Sequence, residues 1–192
     1  MKRFAIIALL ALAACRQEAV EIPEPVALTE TAIGHFCQMN LVEHPGPKGQ
    51  VHLKDILAPL FFSQVRDAIA YLRMPEQDYE IVTTYVSDMG VAPSWDDPGA
   101  TNWIPAADAF YVVGSSREGG MGAAETVPFG TEDAARAFAA QYGGEIMRLD
   151  DIPTELVLAP AASGPQDDTD VTEDVAGYAD RLRNLTNQGD RP

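Results

Sequence analysis

Apolar and polar residues alternate over short stretches in the middle of the chain, and this spacing predicts small strands separated by turns. Four of these strands form two pairs, and a segment rich in glycine or proline joins the members of each pair. The pairs are 34–42 with 50–53, and 109–114 with 126–129. Single strands are predicted at 79–89 and 145–149, and a long ordered loop at 93–107.

A helical segment follows each strand pair, and the two segments share a pattern. In 62–71 and in 129–138 an aromatic residue comes first, a helix-capping Ser or Thr follows shortly after it, and an Ala-rich amphipathic stretch completes the segment. The repetition predicts an α+β fold made of two related ββα units. Because each unit is too small to bury a good core alone, we expect the two to pack against each other.

The N-terminal end of the chain has the features of a targeting segment. Met1, Lys2 and Arg3 precede an apolar run, 4–14, which is too short to cross a bilayer core of about 30 Å. The run ends in Leu-Ala-Ala followed by Cys15, which resembles the bacterial lipobox. These features predict a secretory signal peptide, lipidation of Cys15 and anchoring of the mature chain on a membrane surface.

Composition divides the rest of the chain. Residues 16–30 are polar and aperiodic, as in a tether, and residues beyond about 160 are small and acidic, which is typical of disorder. The predicted parts are a signal peptide (1–14), a lipidated N-terminus and tether (15–30), a first ββα unit (31–78), a connecting strand and loop (79–107), a second ββα unit (108–158) and a flexible acidic tail (159–192).

The overall charge narrows the possible partners. The chain has 29 acidic side chains and 13 Lys plus Arg, for a formal net charge of -16 at pH 7. A nucleic-acid-binding surface needs clustered basic side chains, so we expect no nucleic acid among the partners.

The scarcity of cysteine draws attention to one thiol. If Cys15 carries lipid, Cys37 is the only thiol left and cannot form an intramolecular disulfide. An exported protein risks oxidation of such a thiol unless it is buried, bound to metal or used in chemistry. On the predicted strand, His35, Cys37 and Met39 share one face, and an imidazole, a thiolate and a thioether together favour Cu(I). The alternative, a core Cys and Met beside an exposed His, stays open.

Other residues are candidates for the same site. Met121 lies in a Gly-Gly-Met-Gly loop, 119–122, where a ligand and a flexible filler are equally compatible with the sequence. Met89 also precedes a glycine, but there packing is the favoured interpretation. His44, in a turn, and His52, on a predicted strand, are spare candidates for the metal.

Several spaced motifs resemble one known family. They are His35-x-Cys37-x-Met39, the EHPGPKGQ stretch from Glu43 to Gln50, Phe61-Phe62, Asp88-Met89, Gly120-Met-Gly122 and Pro128-Phe129-Gly130. With the lipobox, and over nearly all of residues 31–155, they resemble NosL, the copper chaperone lipoprotein of nitrous oxide reductase assembly. The family has paired ββα units. Its pattern usually has Gly where Gln38 stands, and often Cys where Gly34 stands.

The resemblance implies a periplasmic, non-enzymatic protein that carries Cu(I) to nitrous oxide reductase and works with a membrane transporter. Cys37 would bind as a thiolate, Met39 and Met121 as thioethers, and His35 as a neutral imidazole or a gate. Two other functions remain open at this point. One is a thiol-redox enzyme that uses Cys37, and the other is a structural lipoprotein that scaffolds a membrane complex.

Overall fold

The computed structural model describes residues 21–76 and 79–158. The predicted signal peptide, the lipidation site Cys15 and the predicted acidic tail lie outside the described residues. Within the described ranges, no helix has the length and apolar character needed to cross a membrane.

The first unit is an antiparallel sheet with one helix. Its elements are β1 (Gly49–Leu53), β2 (Leu60–Phe62), α1 (Val65–Arg73), β3 (Ile81–Ser87) and, later in the chain, β4 (Trp103–Pro105). The strand order is β2-β1-β3-β4, so β1 lies between β2 and β3. All five residues of β1 are buried, as expected for a strand inside a sheet.

The second unit repeats this arrangement. Its elements are β5 (Phe110–Val113), β6 (Val127–Phe129), α2 (Glu132–Tyr142) and β7 (Glu145–Met147), and its strand order is β6-β5-β7. A short helix, α3 (Thr154–Leu158), follows and packs against α1. Both units therefore contain the order ββαβ, in which the first strand lies between the second and the third. The first unit has β4 as an additional strand.

The predicted α+β fold with two related units is confirmed, although some elements are assigned differently. The strand predicted at 79–89 contains β3 and pairs with β1, so it belongs to the first unit. Likewise β7, from the predicted strand 145–149, pairs with β5. Two short strands were not predicted: β2, whose Leu-Phe-Phe sequence has no alternation, and β4, which lies inside the predicted loop 93–107.

The strand predicted at 34–42 is wrong. This segment is a narrow loop closed by a bridge between Ile33 and Asn40, and a single turn of 3-10 helix, Leu41–Glu43, follows it. Gln38 has a φ of 56°, a left-handed conformation that strands do not adopt. Phe36 and Met39 are 43% and 38% exposed, so the alternation of residue types does not separate a buried face from a solvent face.

The two units share a core, as expected for halves too small to fold alone. Val65 and Ile69 of α1 pack with Val86 of β3 and with Tyr111 and Val113 of β5 in one cluster of buried side chains. The Tyr111 hydroxyl donates a hydrogen bond of 2.7 Å to the carbonyl of Ala106, so this polar atom is satisfied inside the core.

Part of the predicted tether is bound to the first unit. The backbone N–H of Val26 donates to Gln50 Oε1 at 2.9 Å, and Gln50 Nε2 donates to the Val26 carbonyl at 3.1 Å. The Tyr85 hydroxyl donates to the carbonyl oxygen of Pro23. The N–H of Leu28 donates to the carbonyl oxygen of Ala100. The segment 23–28 therefore lies against the folded part instead of extending from it as a free linker.

Candidate metal site

Cys37 lies on a tight turn. The N–H of Gly34 donates to the carbonyl of Met39, and the N–H of Gln38 donates to that of Gly34, both at 2.9 Å. The Gln38 side-chain amide donates to the carbonyl of His35 at 2.6 Å. The left-handed backbone at position 38 is one that glycine adopts freely, so this amide helps to hold a conformation that is costly for glutamine.

The turn places the Cys37 sulfur directly over a glycine. A Cβ atom added at Gly34 would collide with Cys37 Sγ, so only glycine leaves room for the sulfur in this position. Sγ also lies 4.0 Å from the carbonyl oxygen of Met39. Cys37 is half-buried and Met39 is 38% exposed, so one turn carries a thiol and a thioether that are both accessible to solvent.

His35 belongs to an aromatic cluster. Its ring centroid lies 5.4 Å from that of Phe36, 5.6 Å from that of Phe62 and 5.5 Å from that of Tyr71. Its backbone N–H donates to the Phe61 carbonyl at 2.6 Å. His35 therefore joins the Cys37 turn to β2 and α1, and its role as a ligand stays a prediction.

The second unit contributes a loop that lies on the first. The N–H of Met121 donates to Gln64 Oε1 at 2.8 Å, and His44 Nδ1 lies 3.1 Å from the carbonyl oxygen of Gly120. Because that oxygen can only accept, the proton of this hydrogen bond is on Nδ1. The Met121 side chain is 39% exposed. The 119–122 loop thus presents a thioether at the junction of the two units.

A buried lysine lies between these two sulfur-bearing segments. Lys48 is 1% exposed, and its ammonium donates to the carbonyl oxygens of His44 (2.7 Å), Gly46 (2.8 Å) and Pro45 (3.1 Å). Burial lowers the pKa of Lys48 to about 8, although the negative charges of Glu125 and Cys37 act in the opposite direction. The cation is therefore within electrostatic reach of Cys37 and also holds the turn that contacts the 119–122 loop.

The other predicted candidates have structural contacts. Met89 packs against the buried cluster that contains Val112 and Phe129, which favours the filler interpretation over a ligand. His52 is 2% exposed, its Nε2 donates to Gln50 Oε1 at 2.9 Å, and burial lowers its pKa. His44 differs from both, because its buried Nε2 atom has no hydrogen-bond partner among the described residues.

The chemistry of the donors favours a soft metal. Across 21–76 and 79–158 there is no group of three or more His, Cys, Asp and Glu residues that could hold a metal ion. A site at Cys37 would therefore depend on methionine sulfur, and thiolate with thioether is the donor set that Cu(I) prefers.

Sequence reasoning missed three polar residues around this site: Lys48, Gln64 and Glu125. Each is at most 2% exposed, yet each belongs to a residue type that is usually found at the surface. The only local signal is at Lys48, where Pro and Gly neighbours indicate a turn whose carbonyls need donors.

Comparisons with known proteins agree on one family. A family model described as NosL matches residues 25–157. The copper-binding lipoprotein NosL of Achromobacter cycloclastes is 51% identical over 186 residues, covering 95% of this chain and 94% of the relative. That of Stutzerimonas stutzeri is 34% identical over 148 residues, covering 77% of this chain and 75% of the relative. The crystal structure of the copper chaperone NosL from Shewanella denitrificans matches with a TM-score of 0.63 and 37% identity, covering 68% of this chain and 96% of that one.

Proposed function

The chain belongs to the NosL family, and we propose that it is a periplasmic, membrane-anchored carrier of Cu(I) that delivers copper for the maturation of nitrous oxide reductase. The relatives are named copper-binding lipoprotein and copper chaperone, not for a reaction, and accordingly this protein is not an enzyme. They are also named lipoproteins, which supports lipidation of Cys15 as the anchor.

The observation that carries the proposal is the turn bearing Cys37 and Met39. It offers a half-buried thiol and an exposed thioether, and the 119–122 loop adds the partly exposed thioether of Met121 at the junction of the units. Soft sulfur donors select Cu(I) over metals that prefer oxygen ligands. Exposure suits a carrier, because an acceptor protein can approach the metal and displace the ligands one at a time.

Each ligand has a separate role in this proposal. Cys37 supplies the thiolate, Met39 and Met121 supply thioethers, and His35 supplies a neutral imidazole or controls access from its aromatic cluster. Met89 is left out of the set because it packs against Phe129 in the core of the second unit. The partners are nitrous oxide reductase as acceptor and the membrane transporter that the family resemblance implies.

A binding experiment tests the site. Under anaerobic conditions, the purified protein competes for Cu(I) with a chelator that changes colour on binding. Cys37→Ala is expected to lose more than about 100-fold in affinity, since loss of a direct ligand exceeds the 10–100-fold typical of outer-shell changes. Met39→Leu is expected to lose less, because a neutral thioether contributes less than a thiolate.

Met74 supplies a matched control for Met39. The two methionines are 37% and 38% exposed, but Met74 follows α1 and is not among the proposed ligands. Met74→Leu is therefore expected to bind Cu(I) as the wild type does. Equal affinity in wild type and Cys37→Ala would contradict the proposed site.

A second experiment tests delivery in cells that make nitrous oxide reductase. Replacing the wild-type gene with that for Cys37→Ala is expected to yield reductase with less copper. A structural scaffold predicts normal copper content in this variant. A thiol-redox enzyme predicts that the copper-free protein turns over a small disulfide, and that Cys37→Ala does not.

A further inference from the structure

A buried glutamine of the first unit holds the loop that carries Met121. Gln64 is 2% exposed, and its Oε1 accepts the backbone N–H of Met121 at 2.8 Å. Burial raises the pKa of the nearby Asp67 carboxyl group, and the Gln64 side chain has a smaller effect that lowers it. Because a backbone N–H can only donate, the amide oxygen of Gln64, and not its nitrogen, points to the loop.

Gln64 stands at the N-cap position of α1 but makes no capping hydrogen bond to this helix. That function is taken by Glu125 of the second unit, whose Oε1 accepts the N–H of Arg66 in the first turn of α1 at 3.0 Å. The Gln64 side chain is thereby free to bind the loop instead of its own helix.

The loop fits closely against the first unit. A Cβ atom added at Gly119 would lie 2.8 Å from Gln64 Oε1 and would also collide with the Glu125 carboxylate. One added at Gly120 would lie 2.6 Å from the Cβ of His44 and 3.0 Å from the carbonyl oxygen of Pro45. The two residues that precede Met121 therefore touch first-unit atoms, and together with the hydrogen bond to Gln64 these contacts fix the position of the Met121 backbone.

We infer that Gln64 is a positioning residue, which holds the Met121 thioether where it can join Cys37 and Met39 in binding copper. The inference rests on the proposed Cu(I)-binding function. Cys37 and Met39 share one turn of the first unit, whereas Met121 belongs to the second unit, 57 residues after Gln64. The hydrogen bond from the loop to Gln64 fixes the backbone of the third sulfur donor in advance, so copper binding does not have to order it.

The test follows the methyl group of Met121 by NMR in protein labelled at methionine methyls, with Met121→Leu used to assign the signal. In the wild type, one equivalent of Cu(I) is expected to shift this signal. In Gln64→Leu the shift is expected to be lost or strongly reduced, and Cu(I) affinity is expected to fall about 10- to 100-fold, as for other residues that orient a ligand.

Gln50→Leu is the matched control. Gln50 is also a fully buried glutamine, but its side chain bonds Val26 and His52 and makes no hydrogen bond to the loop. This variant is expected to keep the copper-induced shift of Met121. If both glutamine variants lose the shift to the same extent, a general loss of stability explains the result and the inference is overturned.

Two further variants keep the test decisive if Gln64→Leu folds poorly. Gly120→Ala moves the loop away from His44 and Pro45 without changing α1, and it is expected to lose the Met121 shift as well. In a Met121→Leu background, Gln64→Leu is expected to cause no additional loss of Cu(I) affinity, because the residue that it positions is already absent. An additive loss would overturn the inference.

The outcomes separate this inference from the proposed function. If the wild type binds Cu(I) through Cys37 but the Met121 methyl does not respond, the positioning role is wrong and the carrier function stands. If the wild type binds no Cu(I), the proposed function itself fails.

Discussion

The two ββαβ units have the same order of elements but begin their helices differently. In the second unit, Thr131 caps α2, and its hydroxyl accepts the N–H of Ala134 at 3.3 Å. In the first unit, Gln64 occupies the equivalent position without capping α1, and the acceptor is Glu125 from the other unit. One helix is completed by its own sequence, and the other is completed only when the two units pack together.

Burial explains this difference. Five residues of α1 are buried, Val65, Arg66, Ala68, Ile69 and Ala70, whereas in α2 only Ala135 is buried. The start of α1 lies at the junction of the units, where water cannot satisfy its N–H groups, and a buried partner is therefore needed. The start of α2 lies at the surface, where an exposed threonine is sufficient.

The support between the units runs in both directions. Asp88, directly after β3 of the first unit, accepts the N–H of Gly130 at 2.9 Å, just before α2. Each unit thus sends a carboxylate to the start of the other's helix. Glu125 is fully buried and Asp88 is half-buried, so we expect loss of the Glu125 contact to be the more costly of the two.

The largest expected effect on stability comes from removing the borrowed cap. Glu125→Ala leaves two buried backbone donors, the N–H groups of Arg66 and Thr126, without their acceptor. We expect a loss of about 2–3 kcal/mol in the free energy of unfolding, measured with urea. Asp133→Ala, which removes a 96% exposed carboxylate from α2, serves as the control and should change little. If Glu125→Ala is as stable as the wild type, then α1 does not need an acceptor from the second unit, and the proposed difference between the two helix starts is wrong.

The second expected effect is a pH dependence of the free energy of unfolding, which arises from the carboxyl group that caps α1 and has no counterpart in the Thr131 cap of α2. Burial raises the pKa of Glu125 from its ordinary 4.5 to about 8. Between these values the folded protein holds a proton that the unfolded chain has released, so the free energy of unfolding decreases as pH rises. Glu125→Gln is neutral at every pH and should lack this contribution.

Urea unfolding of wild type and Glu125→Gln at several pH values checks this effect. The variant is expected to gain stability relative to the wild type as pH approaches about 8, where the wild type has lost the contribution. A constant difference between the two proteins across this range would contradict the assignment.

The smallest expected effect comes from the self-capped helix. Thr131→Ala is expected to lower the free energy of unfolding by about 1 kcal/mol, the typical cost of losing an exposed N-cap. It should leave Cu(I) affinity unchanged, because the hydrogen bond of Thr131 lies within the start of α2, whereas the 119–122 loop is held by Gln64 and His44. If Thr131→Ala lowers Cu(I) affinity as much as Gln64→Leu does, then Cu(I) binding depends on the start of α2 as strongly as on the start of α1. That result would contradict the proposed difference between the two helices.

The fold was predictable where its signals are local. The strands near β3, β5 and β7, the helices α1 and α2 and the Thr131 cap follow from residues a few positions apart. The prediction failed at 34–42, where the residue types alternate as in a strand but the bridge from Ile33 to Asn40 closes a loop. It also missed β2, whose three residues are a strand only because β1 lies beside them.

The sequence singled out the sulfur atoms that remain the predicted ligands, but it did not predict their surroundings. Scarcity of cysteine singled out Cys37, and the glycine neighbours singled out Met121. The expected common face of a strand was replaced by a turn, in which Gln38 takes a left-handed conformation and Cys37 lies over Gly34. The contacts of the His35 ring with Phe62 and Tyr71 depend on the fold, and its role as a ligand stays a prediction.

The sequence by itself determined the repeated pattern of strands and helices, the family, and the thiol and thioethers that make copper the expected cargo. Only the tertiary structure decided which polar residues are buried around them: Lys48, Gln64 and Glu125. The physical reason is that periodicity records neighbours within a few residues, whereas the burial of a polar side chain depends on a partner that satisfies it. For Gln64 that partner is 57 residues away, and for Glu125 it is 59.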